Sequence, residues 1–280
     1  MMTADGMDLP LSSGRVRVER VGSPTGRAVV CVHGISSNAR IFTPIRDMLA
    51  DAGRQVVSLD LRGRGLSEKS ESGTYGWLRH ARDVFEVAQR LDLAEFDLVG
   101  HSMGAFVGMN AVAIDEKKQI GKLVLIDGLG LPSATAAAAL ARNATRLSWI
   151  YRNADDYVKA VRSLGLASPW SDHWERHYRY EVEPTERGVR ARTKLGAVLE
   201  DAAYAATHSP AALWESLSIP VLLLRAARPL AAPNGFVVTK HDLSAFSRSR
   251  PGALVREIDA NHFGIVMHDD ALSAIRGFLC

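Results

Sequence analysis

The sequence has few of the features that stabilise small secreted proteins or anchor proteins in membranes. Only two of its 280 residues are cysteines, Cys31 and Cys280, and their positions fit neither a disulfide framework nor a metal knuckle. We therefore expect a reducing, cytoplasmic environment. The sequence also shows no secretory signal peptide and no apolar run approaching the roughly 20 residues that span a bilayer.

Strong charge of either sign is also lacking. The formal net charge is +3 and no run of five like charges occurs, which argues against a nucleic-acid partner. No His/Cys/carboxylate cluster has metal-ligand spacing, and no G-x-G-x-x-G follows a predicted strand, so we expect no metal and no organic cofactor. The expected partner is a small-molecule substrate, and the sequence does not indicate an oligomeric state.

Short apolar runs alternate with helical periodicities along much of the chain. Buried strands are predicted at residues 28–32, 55–61, 96–100 and 122–126, with helices between them. The alternating segment 15–21 predicts a half-buried strand at an edge of the sheet. Strands and helices that alternate at this pace need crossover connections, so the predicted fold class is α/β with a mostly parallel sheet.

This alternation stops after Asp127. Residues 132–212 contain no convincing strand and carry an alanine-rich stretch followed by helical segments rich in aromatic residues. The sheet pattern resumes at residues 219–224. We therefore predict a helical insertion at residues 132–212 and a core domain formed by residues 1–131 and 213–280.

The strongest motif is Gly100-His101-Ser102-Met103-Gly104, a G-x-S-x-G sequence between a predicted strand and a predicted helix. Its glycines allow a turn so sharp that the serine hydroxyl projects above the sheet, where the amides of the next helix also point. Ser102 is therefore the predicted nucleophile. The alternative is a plain tight turn between a strand and a helix.

A second segment, His33-Gly34-Ile35-Ser36-Ser37, follows an earlier buried strand. An oxyanion hole needs two backbone N–H donors that are fixed before charge develops. The amides of Ile35 and Met103 are the candidates, although the segment could also be an ordinary loop. Three residues of these two motifs are expected to contact substrate: His33, Gly34 and His101.

A serine nucleophile needs a base within hydrogen-bond distance. The chain has nine histidines. His262, in the pair Asn261-His262, lies at a predicted strand-to-helix junction near the end of the sequence, where the order serine, acid, histidine places the base. His262 is therefore the predicted base, and His101 is expected to pack behind the serine turn.

Together these motifs resemble the α/β-hydrolase fold family of serine hydrolases over nearly the whole chain. The matching segments are His33-Gly34, the D-x-R-G-x-G-x-S segment 60–67, the elbow 100–104, residues 123–127 and Asn261-His262. The resemblance implies an α/β-hydrolase fold, with helices flanking a mostly parallel central sheet and with the insertion as a cap domain. It also implies that the segment 60–67 is structural.

The sequence departs from the family pattern at the acid of the triad. Most relatives carry it just after the strand that follows the cap, where this chain has Leu224-Arg-Ala-Ala-Arg-Pro-Leu-Ala231 and no acid before Asp242. The other position known in the family is the end of the strand before the cap, which Asp127 occupies. We predict Asp127 as the acid; Asp242, or no working acid, are the alternatives.

The cap could supply the substrate pocket, because ligand sites favour interfaces between domains. We expect Trp170 and Trp174 to line such a pocket; the alternative is that they form the core of the cap. The cap is also rich in arginine, and we hypothesise that one or two of these side chains bind a substrate carboxylate.

The predicted activity is hydrolysis of a small carboxylic ester or lactone through an acyl-enzyme. Amide and carbon–carbon bonds are cleaved by related machinery, and the sequence does not separate them. Two other readings remain open: a cofactor-free dioxygenase of the same fold, in which Ser102 only donates a hydrogen bond, and a ligand receptor with little turnover.

Overall fold

A computed structural model describes residues 5–280 of the chain. The described chain forms eleven strands: β1 (Asp5–Leu11), β2 (Gly14–Gly22), β3 (Ala28–Val32), β4 (Gln55–Leu59), β5 (Phe96–His101), β6 (Ile120–Ile126), β7 (Ile150–Tyr151), β8 (Val182–Thr185), β9 (Gly188–Ala191), β10 (Val221–Ala226) and β11 (Leu254–Ile258). Its α-helices are α1 (Thr43–Asp51), α2 (Trp77–Arg90), α3 (Met103–Ala113), α4 (Ala134–Ala144), α5 (Ala154–Ser163), α6 (Asp172–Tyr180), α7 (Leu195–Thr207), α8 (Lys240–Ser249) and α9 (Asp269–Leu279).

Eight strands form one sheet in the order β1-β2-β4-β3-β5-β6-β10-β11. The pairs from β4 to β11 are parallel, whereas β2 pairs antiparallel with both β1 and β4. Every residue of β3, β4 and β5 is buried, as expected for strands covered by helices on both faces. The predicted mostly parallel α/β sheet is confirmed.

The prediction that the segment 15–21 lies at an edge of the sheet was wrong. The segment 15–21 does form β2, but β1 pairs with β2 along its length and takes the edge. The β1 sequence contains Gly6, Asp8 and Pro10, residue types that are depleted in strands. Its alternating Met7, Leu9 and Leu11 nevertheless pack against the core.

Two apolar clusters occupy the two faces of the sheet. One packs α2 and α3 against the sheet through residues such as Trp77 and Val107. The other joins α1 and α9 to the inserted segment, with Ile45, Tyr157 and Trp174 in a single cluster. The insertion therefore shares one apolar cluster with the sheet and its helices.

In residues 5–280 no helix has the length and apolar composition needed to cross a bilayer.

The segment between β6 and β10 contains α4 to α7 and a small three-stranded sheet in the order β7-β9-β8. The expectation that residues 132–212 hold no strand was therefore wrong. Strands of two and four residues are too short to show a period in the sequence, and β8 contains Pro184. The division of the chain at residues 132 and 212 stays a prediction. The 3-10 helix Pro210–Ser216, which spans the second boundary, packs against α3.

Candidate active site

Ser102 lies in a strained turn between β5 and α3. Its backbone angles are φ 58° and ψ −122°, a conformation that is rare for residues other than glycine. Glycines on either side permit the turn, because a Cβ on Gly104 would lie 1.9 Å from the carbonyl oxygen of Val32 and one on Gly100 2.2 Å from that of Gly104. The turn places Ser102 at the carboxyl end of the sheet, directly before the first turn of α3.

Asp127 and His262 form a buried pair beside this turn. Asp127 follows β6, and its Oδ2 lies 2.8 Å from Nδ1 of His262. Its Oδ1 accepts a hydrogen bond of 2.9 Å from the amide of Ala226, at the end of β10. The Asp127 and His262 side chains are 1% and 3% exposed, respectively. Since the carboxylate only accepts, Nδ1 carries the hydrogen and Nε2 of a neutral His262 is left as a proton acceptor.

Asp242, the alternative acid, makes different contacts. It lies in the first turn of α8, where its Oδ2 accepts a 2.7 Å hydrogen bond from the hydroxyl of Thr239. Its amide in turn donates to the same hydroxyl, so the two residues cap the helix. The structure brings Asp127, and not Asp242, to His262.

One cavity joins the candidate catalytic residues. It is a narrow cleft with a volume of about 30 Å³, and it is partly open to solvent. Ser102, His262, His101, Gly34 and Ile35 line it from the sheet side. Arg146, one of the arginines considered for a substrate carboxylate, also lines it. The sequence analysis did not single out the rest of its lining as substrate contacts: Ser36, Ser37, Ile41, Leu140, Asn143, His177, Tyr178 and Phe263. Ser102 Oγ makes no hydrogen bond within residues 5–280, and such bonds are often absent until substrate is present.

The two candidate oxyanion donors flank the serine. Met103 is the first residue of α3, and Ile35 lies in the loop after β3. Among the described residues, neither backbone amide donates to a protein acceptor. The Ile35 loop is held from behind, since the guanidinium of Arg64 donates a 3.0 Å hydrogen bond to the Ile35 carbonyl oxygen. That guanidinium also pairs with Asp201 on α7.

His101 packs against the candidate base. Its Nε2 donates a 3.0 Å hydrogen bond to the His262 carbonyl oxygen, and the two rings stack with centroids 4.7 Å apart. Nδ1 of His101 has no partner among residues 5–280. Burial lowers the pKa of His101 well below its usual range, and the neighbouring His262 ring lowers it further. A neutral His101 therefore orients the loop that carries His262 and also lines the cavity.

The structure contradicts the expectation that His33 contacts substrate. The ring is fully buried; its Nδ1 donates to the Gly34 carbonyl oxygen at 2.7 Å, and its Nε2 accepts from the Leu61 amide at 3.0 Å. Burial lowers the pKa of His33 to about 3, so the ring is neutral. Both ring nitrogens are hydrogen-bonded to backbone groups, so His33 links the loop after β3 to the segment after β4.

Trp170 and Trp174, which were predicted to line the substrate pocket, do not line the cavity. Trp174 is fully buried and packs edge-on against His177 at 5.7 Å and Phe263 at 6.0 Å between ring centroids. Trp170 stacks on Tyr178 at 5.8 Å. Both lie one layer behind the residues that line the cavity. Helical periodicity in α6 marks an apolar face but does not say which residue of that face borders empty space.

Arg146 is the arginine that lines the cavity, and its charge is already paired. It donates to the carboxylate of Glu181 at 2.7 Å, to the hydroxyl of Tyr157 at 3.1 Å and to the carbonyl oxygens of Ser36 and Asn143, both at 2.7 Å. These bonds use four of its five N–H groups. Arg146 therefore cannot give a substrate carboxylate the two parallel hydrogen bonds that the sequence hypothesis requires.

The chain is similar to known hydrolases over most of its length. The family model for the α/β hydrolase fold matches residues 27–269. The chain is 26% identical over 272 residues to the 2-(acetamidomethylene)succinate hydrolase of Mesorhizobium japonicum, covering 95% of this chain and 92% of that protein. It is 28% identical over 257 residues to the AB hydrolase superfamily protein YisY of Bacillus subtilis, covering 86% and 90%.

A solved structure gives the same result for the fold. The crystal structure of E-2-(acetamidomethylene)succinate hydrolase matches with a TM-score of 0.86 and 24% identity, covering 99% of both chains. With the family match and the architecture described above, the conclusion is direct: the chain belongs to the α/β hydrolase fold family.

Proposed function

We propose that the chain is a serine hydrolase that cleaves a small carboxylic ester or lactone through an acyl-enzyme. The observation that carries the proposal is the 2.8 Å contact between Asp127 and His262, because His262 lines the same cavity as Ser102. A nucleophile, a base and a group that orients the base are the parts that acyl transfer needs.

In the first half of the reaction, Ser102 Oγ attacks the carbonyl carbon of the substrate while Nε2 of His262 takes the hydroxyl proton. The oxyanion accepts hydrogen bonds from the amides of Ile35 and Met103, and one such donor typically stabilises the transition state by about 3 kcal/mol. When the tetrahedral intermediate collapses, His262 gives its proton to the departing alkoxide. The acyl group stays on Ser102.

In the second half, water attacks the acyl-enzyme. His262 takes a proton from that water, and the resulting intermediate expels Ser102, which regains its proton from His262. Asp127 keeps the hydrogen of His262 on Nδ1 and stabilises the imidazolium that forms twice in each cycle. The free carboxylic acid leaves, and the enzyme returns to its starting state.

An amide is the second candidate bond. It is favoured by the similarity, over 95% of this chain, to a protein named for the hydrolysis of 2-(acetamidomethylene)succinate. That name describes an acetamido group on a dicarboxylic acid. The same residues would serve, with His262 protonating a departing nitrogen instead of an oxygen.

Turnover of matched ethyl esters and N-ethyl amides, followed by product chromatography, tests the proposal. We expect the wild type to hydrolyse the esters, and Ser102→Ala to lose all but a small residual rate. An amide cleaved in preference to its matched ester would move the assignment to the second candidate. Oxygen consumption with an aromatic substrate, and none of these hydrolyses, would instead support the dioxygenase reading.

A further inference from the structure

Two polar side chains from the insertion line the cavity and have no hydrogen-bond partners among the described residues. Asn143, near the end of α4, and His177, on α6, are each 3% exposed and line the cavity. The side-chain amide of Asn143 makes no hydrogen bond within residues 5–280, whereas its backbone carbonyl accepts one from Arg146. Neither ring nitrogen of His177 is hydrogen-bonded within those residues, and its Nδ1 is enclosed without a partner.

A buried polar atom without a partner, such as Nδ1 of His177, is costly to a folded protein. Native chains satisfy the large majority of buried polar atoms, because each one left unpaired loses its hydrogen bonds to water. Asn143 and His177 border the same empty space, which Ser102 also borders. A ligand seated against Ser102 is therefore placed to satisfy them.

The charges around the cavity point to an uncharged ligand. Burial, and after it the neighbouring His173 and Arg146, lower the pKa of His177 well below its usual range. The cation of Arg146 is paired with the carboxylate of Glu181 at 2.7 Å. Asp127 adds a further carboxylate beside His262. An anionic substrate group would find no unpaired cation here.

We propose that Asn143 and His177 form a specificity subsite for an uncharged substrate group that both donates and accepts hydrogen bonds, a carboxamide or a hydroxyl. An amide side chain offers two donors and an acceptor, and a neutral imidazole offers one of each. Such a group on the acyl part of the substrate satisfies both side chains. In this proposal the catalytic residues lie at the edge of the sheet, and the residues that select the substrate lie in the insertion. This inference rests on the proposed function.

Three ethyl esters of nearly equal size separate the possibilities. Ethyl succinamate carries a carboxamide, monoethyl succinate carries a carboxylate, and ethyl 4-methylpentanoate carries an apolar group of the same shape. We expect the wild type to favour ethyl succinamate over each of the other two by about ten- to hundredfold in kcat/KM, since a site built for hydrogen bonds discriminates against a group that lacks them. Ethyl 3-hydroxybutyrate against ethyl 3-methylbutyrate makes the same comparison for a hydroxyl.

Variants then assign the preference to the two residues. His177→Leu and Asn143→Leu are each expected to lower the preference for ethyl succinamate over ethyl 4-methylpentanoate by about tenfold, and His177→Gln is expected to retain part of that preference. His173→Leu is the matched control. His173 lies one turn earlier on α6 and also has an orphaned buried nitrogen, Nε2, but it does not line the cavity.

The ratio of two esters in one variant cancels any loss of folded protein. A wild type that hydrolyses all three succinyl-sized esters at similar rates, or a His173→Leu variant that changes the preference as much as His177→Leu, overturns the subsite and leaves the serine hydrolase intact. A preference for monoethyl succinate overturns it as well. Failure to cleave any ester, with no Ser102 adduct from a fluorophosphonate, overturns both the subsite and the proposed function.

Discussion

Asp127 and His262 are 135 residues apart in the sequence, yet their Oδ2 and Nδ1 atoms lie 2.8 Å apart. The sheet brings them together because β6 and β10 are parallel neighbours, and so are β10 and β11. Asp127 follows β6, and His262 follows β11, so both lie at the carboxyl edge where Ser102 follows β5. The amide of Ala226, at the end of the intervening strand, holds the second carboxylate oxygen.

Substitution of the acid tests this pair. We expect Asp127→Asn to lower kcat by about 10⁴-fold, because the amide can donate to Nδ1 and favour the wrong tautomer of His262. Asp242→Asn is the matched control and is expected to keep near-wild-type turnover, with a cost in unfolding free energy of at most about 1 kcal/mol from the weakened cap. Steady-state kinetics and urea unfolding of both variants measure the two effects. A normal rate in Asp127→Asn together with an inactive Asp242→Asn would reverse the assignment.

The elbow also predicts a contrast between two helical glycines. A Cβ on Gly104 would lie 1.9 Å from the backbone oxygen of Val32, whereas one on Gly277 in α9 meets no atom within 4 Å. We expect Gly104→Ala to destabilise the fold by about 3 kcal/mol or more and to inactivate the site, because β3 and α3 must move apart. Gly277→Ala should instead raise the unfolding free energy by up to about 1 kcal/mol, through helix propensity. Equal stability of the two variants in urea unfolding would contradict the close packing of the elbow.

Because His33 is buried and neutral, we expect the free energy of unfolding to fall in acid. Burial lowers its folded-state pKa to about 3, whereas an unfolded histidine has a pKa of about 6.5. Below pH 6.5 the unfolded chain therefore binds the extra proton, and the contribution of His33 to stability falls as the pH drops toward 3. At pH 5 the loss is about 2 kcal/mol relative to neutral pH.

His33→Gln removes this titration. Urea unfolding at pH 7.5 and pH 5 should show a smaller difference between the two pH values in the variant than in the wild type, whatever the variant's absolute stability. An unchanged difference would mean that His33 is not held neutral by burial.

Most strands of the central sheet could be predicted because they contain short, largely apolar runs. β3 and β4 show this most clearly, since all ten of their residues are buried. β1 was missed because its glycine, aspartate and proline hide an alternation of three apolar residues. β7, β8 and β9 were missed because pairs of two to four residues are specified by contacts across the strands and not by a period.

The residues in the turns at the sheet edge could also be located from the sequence, because Ser102 lies directly between β5 and α3 and because the family resemblance places the acid and the base after later strands. This holds for Ser102, Asp127 and His262, whose catalytic roles stay proposals. The lining supplied by the insertion could not be predicted. Trp170, Trp174 and His177 lie in or near one helix with similar local patterns, and only tertiary packing decides that His177 borders the cavity. Arg146 likewise shows its partner, Glu181, only in the folded chain.

The central claim is that Ser102 is an activated nucleophile next to a formed oxyanion hole. A fluorophosphonate probe reacts with such a serine and leaves a covalent adduct, so the intact mass of the treated protein tests the claim directly. We expect one adduct on the wild type and none on Ser102→Ala under the same conditions. Folded wild type that gains no mass, or a Ser102→Ala variant that is labelled equally, would contradict acyl-enzyme chemistry at this site.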